Sequence, residues 1–152
     1  MLDFAKSDNE KLQSAAIAAL ANYHSDTLRR LALELIREQP ESVQNGVIKL
    51  LINNYKSGDF WVLESVLSIS QDSDLQHSIG MDLIELINAQ KTTELKECSL
   101  WVYENTPCSY CRQQIVEILI ALRQTPQSML QECLHDCSSK IRSLVQKEVT
   151  KH

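Results

Sequence analysis

Apolar positions recur every three or four residues along most of the chain, with polar residues between them. That period belongs to α-helices with one buried face. Leu12, Ala16, Ala19, Leu20 and Tyr23 mark a first helix, expected to be capped by Ser7 or Asp8 with Glu10 completing a capping box. A turn at His24-Ser25-Asp26 leads to a second stripe of Leu28, Leu31, Ala32, Leu35 and Ile36. Its wet face carries Arg29, Arg30, Glu34, Arg37 and Glu38. Pro40 stops that helix and opens a third. There Val43, Val47, Leu50 and Leu51 share one face, and Ile48, Ile52 and Tyr55 another, which predicts burial on two sides. Ser57-Gly58 ends it, glycine being the residue that most easily takes the left-handed cap.

Phe60, Leu63, Val66 and Leu67 predict a fourth helix, and Asp72-Ser73-Asp74 forms a cluster of cap residues. The fifth carries Leu75, Ile79, Leu83, Leu86 and Ile87, with Gly80 placed to let another helix cross closely. Leu95, Cys98, Trp101 and Val102 mark the sixth, and Cys111, Ile115, Ile118, Leu119 and Leu122 the seventh. Thr125 and Pro126 predict an N-cap and first helical residue ahead of Met129, Leu130, Cys133 and Leu134. The last stripe is Ile141, Leu144, Val145 and Val149, which leaves Arg142, Ser143, Gln146 and Lys147 facing outward. No segment alternates with period two over a strand's length. The expectation is therefore an all-α chain of about nine helices, one domain over residues 1–152. The apolar markers Val43, Leu75, Cys111 and Ile141 lie 32, 36 and 30 residues apart in turn. Such intervals fit a stacked two-helix unit, and a final helix with one apolar face fits its end cap.

Residues 106–149 carry a more specific order. Thr106-Pro107-Cys108-Ser109-Tyr110-Cys111-Arg112 leads into a helical stripe, then Thr125-Pro126, Leu134-His135-Asp136 and Ile141-Arg142. This order resembles the HEAT-repeat pattern of the ARM/HEAT superfamily, in which an Asp in the inter-repeat turn faces an Arg one turn into the next helix. Asp136 stands six positions before Arg142. Residues 23–36 fit in part through Leu28-Arg29 and Ala32. Gln44 and Gln76 stand where the repeat Arg is expected, and Thr106 where the Asp is expected ahead of Arg112. The resemblance implies a right-handed α-α superhelix of antiparallel pairs, whose second helices line a concave face.

Composition narrows the function more than it names one. The 152 residues, 43% of them hydrophobic, are enough for a substantial core. No apolar run approaches the roughly 18 residues of a membrane span. Met1-Leu2-Asp3-Phe4 lacks a basic segment followed by an apolar one, so no leader peptide is expected. A reducing cytoplasm is the expected location, and the five cysteines, an odd number, are expected as free thiols. A net charge of −5 opposes a phosphate backbone unless cations cluster. Arg29, Arg30 and Arg37 form one small basic group, and Lys140, Arg142, Lys147 and Lys151 another.

The candidate chemistry is sparse. Cys108-x-x-Cys111 and Cys133-x-x-x-Cys137 have the spacing of two halves of a zinc site, which makes a zinc-stabilised accessory domain one alternative. The apolar settings of Cys111 and Cys133 favour plain packing instead. A helix N-terminus lowers a thiol pKa, but thioredoxin-like redox chemistry needs a preceding strand. The four histidines are scattered, and no phosphate loop or nucleophile motif is present. No catalytic residue, metal or cofactor is expected. HEAT-like folds also occur in DNA glycosylases, a second alternative that the acidic charge opposes, so nucleic acid is an unexpected partner. Trp61 lies off its helix's apolar stripe, beside Glu64, Ser65 and Ser68. With Arg30, Glu34 and Arg37 it would form a mixed strip suited to a protein partner. The expected function is a non-catalytic interaction module, a scaffold or adaptor.

Overall fold

The computed structural model describes residues 1–65, 67 and 73–150; Val66, Ser68, Asp72 and Lys151 of the sequence reading lie outside them. The described residues form helices joined by turns and loops, with no strand among them. The elements are α1 (Leu2–Ala5), α2 (Glu10–Leu20), α3 (Asp26–Glu38), α4 (Lys49–Ile52), α5 (Phe60–Glu64) and α6 (Ser73–Gln90), then α7 (Lys96–Asn105), α8 (Ser109–Ala121), α9 (Gln127–Cys133) and α10 (Ser139–Val149). Two 3-10 turns, Pro40–Asn45 and Thr93–Leu95, precede α4 and α7. No helix among the described residues is long and apolar enough to cross a membrane.

Local chemistry explains where these elements depart from the periodicity. The expected third helix is two short pieces, because Gly46 takes a φ of +83° between the 3-10 turn and α4. Helix α4 ends at Ile52, six residues before Gly58, so that glycine turns the loop into α5 rather than capping a helix. Asn9, not Ser7 or Asp8, caps α2, its side chain accepting from the Leu12 N–H at 3.1 Å. The buried face of α2 is Gln13, Ala16 and Ile17, while Leu12 and Tyr23 are exposed. Gln13 rotates the helix inward because it has polar partners there, Asn45 at 2.6 Å and Gln39 at 3.4 Å. Pro126 is itself the N-cap of α9, and the Thr125 hydroxyl is buried without a hydrogen-bond partner. Ser25 caps α3 as its turn predicts.

Helices pack in part on their sequence neighbours and in part on the helix two further along. Helix α3 packs on the 3-10 turn, α4 and α5; α4 on α6; α6 on α7 and α8; and α10 on α8 and α9. Their apolar faces join one core that runs from Ala5 to Val145. Gly80 permits a close approach. A Cβ at that position would lie 2.5 Å from Thr106 Cγ2, so α6 presses directly on the end of α7. The last helix shows one wet face, with Ile141 and Val145 buried and Arg142, Ser143, Gln146 and Lys147 exposed.

Polar side chains stitch successive turns together. Asn54 accepts from the Ser25 N–H at 2.7 Å and donates to the Tyr23 carbonyl at 3.0 Å. His24 Nδ1 meets the Asn53 carbonyl at 2.6 Å. One register later, Glu94 accepts from the Tyr55 hydroxyl at 2.9 Å, from the Ser57 hydroxyl and from the Gly58 N–H. Two Arg–Asp pairs do the same work. Arg29, in the first turn of α3, holds Asp59 at the start of α5, and Asp59 also accepts from the Lys56 N–H at 2.8 Å. Arg112, in the first turn of α8, holds Asp136, which accepts from the Ser138 N–H at 2.7 Å ahead of α10. Asp136 thus accepts both a turn hydrogen bond and an ion pair. Its guanidinium partner is Arg112, while Arg142 donates to the carbonyls of Asp136 and Cys137.

Candidate functional site

Two places present chemistry that the core does not consume: the outer faces of α3 and α5, and the junction of α6 with the start of α8.

On α3 the spacing 30, 34, 37 puts Arg30, Glu34 and Arg37 on one face. Arg30 and Arg37 are exposed, and no ion pair holds either among the described residues. Glu34 is taken up by Lys6, which follows α1, so its charge is neutralised locally. Helix α5 packs on α3, with the Arg29–Asp59 pair fixing the residue that precedes α5. Trp61 is 67% exposed, and its ring lies against that of Phe60, at 4.5 Å between centroids and a 36° tilt. Phe60 itself packs on the core. Glu64 is half-buried and leans toward α7, where its charge adds to burial in pushing the Cys98 thiol up to about 12. Ser68 lies outside the described residues. Of the residues read from sequence as a strip, Trp61, Arg30 and Arg37 are exposed, Glu34 is paired with Lys6 and Glu64 is half-buried.

At the second place, Cys108 is the N-cap of α8 and Cys111 lies in its first turn. Helix α6 runs alongside, brought close by the Gly80 contact with Thr106. His77 and Met81, one turn apart on α6, face the two cysteines. Cys111 Sγ lies 3.7 Å from His77 Nδ1 and 3.5 Å from Met81 Sδ. The ligand atoms of His77, Cys108 and Cys111 all fall within 4.8 Å of one another. The two thiols differ electrostatically. The Cys111 backbone N–H at the helix start holds Cys108 below the ordinary thiol range, with the Cys111 side chain and the Tyr110 N–H adding to it. Burial, and then the Cys108 contact, push Cys111 up to about 11.

The four-cysteine set read from sequence does not come together. Cys133 is buried with its sulfur 3.3 Å from the Tyr103 hydroxyl, and Cys137 is exposed in the turn before α10. Both lie outside the His77 cluster. Sequence spacing could pair Cys108 with Cys111, but His77 is 31 residues from the nearer of them. Its one signal was Met81, four residues on, which places two soft donors on one face of α6. A groove of about 560 Å³ lies nearby, between the end of α7 and the start of α9. Tyr103, Glu104, Arg112, Met129 and Glu132 line it, and Arg112 Nε there is buried without a partner. No family model, curated protein or solved structure matches the chain.

Proposed function

We propose that this chain is a non-catalytic, HEAT-like interaction module that binds another protein through Trp61, Arg30 and Arg37. In this reading the helix pairs stack as a right-handed superhelix, and the repeated Arg-to-Asp turn pairs set its register. The observation that carries the functional reading is the exposure of Trp61. A 67% exposed indole braced by Phe60 leaves a large apolar surface in water on an ordered helix. Trp and Arg are the residues most enriched at energetic centres of interfaces, where an aromatic fills a pocket and the surrounding contacts exclude water.

Charge narrows the partner. Lys6 pairs with Glu34 and Glu64 turns toward α7, while Arg30 and Arg37 are exposed and in no ion pair among the described residues. They lie seven residues apart on α3, about 10 Å along the axis. The partner is therefore a protein with an apolar pocket rimmed by carboxylates. Two such cations are too few to track a phosphate backbone against a net charge of −5.

The test compares the unmodified chain with Trp61→Ala and with Arg30→Glu/Arg37→Glu by quantitative affinity capture. The same protein should weaken in both variants, by roughly 30-fold for Trp61→Ala. The thermal midpoint of each should stay near that of the parent. A partner retained by both variants, or a large fall in midpoint for Trp61→Ala, contradicts the assignment. Tight, salt-sensitive binding of DNA contradicts the functional class.

A further inference from the structure

The start of α8 and the facing side of α6 deliver three soft sulfur donors and one nitrogen to one place: the thiols of Cys108 and Cys111, the Met81 thioether and the His77 imidazole. We propose that these four side chains bind a soft, thiophilic d10 metal ion, Cu(I) in preference to Zn(II).

Geometry is the first argument. Metal–sulfur and metal–nitrogen bonds of about 2.3 Å and 2.0–2.1 Å place a tetrahedral sulfur and nitrogen about 3.6 Å apart. Cys111 Sγ and His77 Nδ1 already stand 3.7 Å apart. Cys108 completes a triangle with no edge beyond 4.8 Å. An ion would thus draw the donors inward by side-chain rotation, with both helices in place.

Access comes next. Cys111 is fully buried, while His77, Met81 and Cys108 are half-buried at the rim. A plain packing role accounts for Cys111 and leaves the convergence of a half-exposed imidazole, thiol and thioether without a purpose.

The donor types choose the ion. Among the described residues the cluster holds thiols and an imidazole and no carboxylate, a donor set poorly suited to Mg(II), Ca(II) and Mn(II). Zn(II) takes thiolate, imidazole and carboxylate, whereas thiolate with thioether selects Cu(I). Met81 Sδ stands 3.5 Å from Cys111 Sγ, near enough to serve as the fourth donor. Binding displaces one proton from each thiol, so Cu(I) plus two thiols gives a site of net charge −1 and two released protons. The first-turn N–H groups of α8 face that negative charge and favour it.

The experiment uses the full reduced chain under anaerobic conditions. Cu(I) is titrated in competition with a chromophoric Cu(I) chelator, and Zn(II) in parallel with a zinc chelator. One equivalent of Cu(I) should bind, and X-ray absorption should show a sulfur-rich shell with one nitrogen. Cys108→Ser and His77→Gln, each checked for helicity, should weaken binding by more than about 100-fold, beyond what loss of a supporting residue alone would give. Met81→Leu should weaken Cu(I) by about 10-fold and leave Zn(II) unchanged. Cys137→Ser should change neither. Cu(I) affinity indifferent to Met81, or displacement of Cu(I) by zinc, overturns the choice of ion. Failure to bind one equivalent, or binding that survives Cys108→Ser and His77→Gln, overturns the site. So does a reduced chain that takes no metal but closes a Cys108–Cys111 disulfide in air.

Discussion

Removal of the Asp136 carboxylate should reveal how much the turn pairs contribute. Asp136 does two things at once, accepting from the Ser138 N–H at 2.7 Å and pairing with Arg112. Loss of such a turn hydrogen bond alone costs about 1 kcal/mol. Loss of one partner from a fully buried ion pair costs about 3–5 kcal/mol, because the remaining charge stays buried. The Asp136 side chain is 4% exposed, but that of Arg112 is 27% exposed, so water reaches part of the guanidinium. Arg112 Nε is already without a partner, and its carbon lies 6.0 Å from the Tyr103 ring, a contact that survives the substitution. The cost of Asp136→Ala should therefore be intermediate, about 2–3 kcal/mol. Urea denaturation should show a lower midpoint at unchanged slope. Arg112→Met keeps the apolar stem, and the double variant should lose less than the sum by about 1–2 kcal/mol. The exposed Lys56–Asp26 pair supplies the contrast. Both side chains are more than half exposed, and Asp26→Ala should leave the midpoint nearly unchanged. An Asp136→Ala midpoint as little changed as that of Asp26→Ala, or strict additivity with Arg112→Met, refutes the reasoning.

Other expectations follow from single contacts. Gly80→Ala should destabilise by about 1–2 kcal/mol, because its new methyl would collide with Thr106 Cγ2 despite the better helix propensity of alanine. Thr106→Ser removes that methyl and keeps the hydroxyl that donates to the Val102 carbonyl, so it should relieve the loss in a thermal melt; no relief would show the strain lies elsewhere. Asp82 is buried, which raises its carboxyl from 3.8 to about 6 even with Lys49 nearby pulling it down. The folded state then holds that proton more tightly than the unfolded chain. Stability should fall as pH rises from 3.8 toward about 6 and be level above, by at most about 3 kcal/mol. The difference in midpoint between the parent and Asp82→Asn should trace that interval, and a pH-independent difference would count against it. Trp61→Ala should change stability by less than about 0.5 kcal/mol in the same melts, since the side chain is mostly in water; a larger loss would place Trp61 in the core.

The helical class was legible because burial leaves a periodic record. Leu28, Leu31, Ala32, Leu35 and Ile36 are read from the sequence as a stripe and are all buried in α3. The one-sided last helix and the close approach at Gly80 were legible for the same reason: a polar face and a missing side chain are both visible in a sequence. Helix α2 was misjudged by rotation, because Gln13 enters the interior through partners at 39 and 45 that no local period reveals. The third helix looked continuous because apolar residues on two faces resemble a helix more than two short turns around a left-handed glycine. At the candidate sites the same limit holds. Trp61 stood out by being off its stripe, yet Lys6 neutralising Glu34 is a contact across 28 residues. Spacing joined Cys108-x-x-Cys111 to Cys133-x-x-x-Cys137 as two halves of one site, while folding brings His77 and Met81 to the first half instead.

The interaction surface is tested most directly by a photo-crosslinking amino acid placed at position 61 of the full chain and irradiated in extract. The account predicts one discrete heterologous protein joined at that position, with the product lost when Arg30→Glu and Arg37→Glu are added. The crosslinked surface of that protein should be an apolar pocket bordered by Asp or Glu. A crosslink to nucleic acid, to a second copy of the chain or to no discrete protein, with a control position on the far face of α10 giving the same pattern, would contradict it.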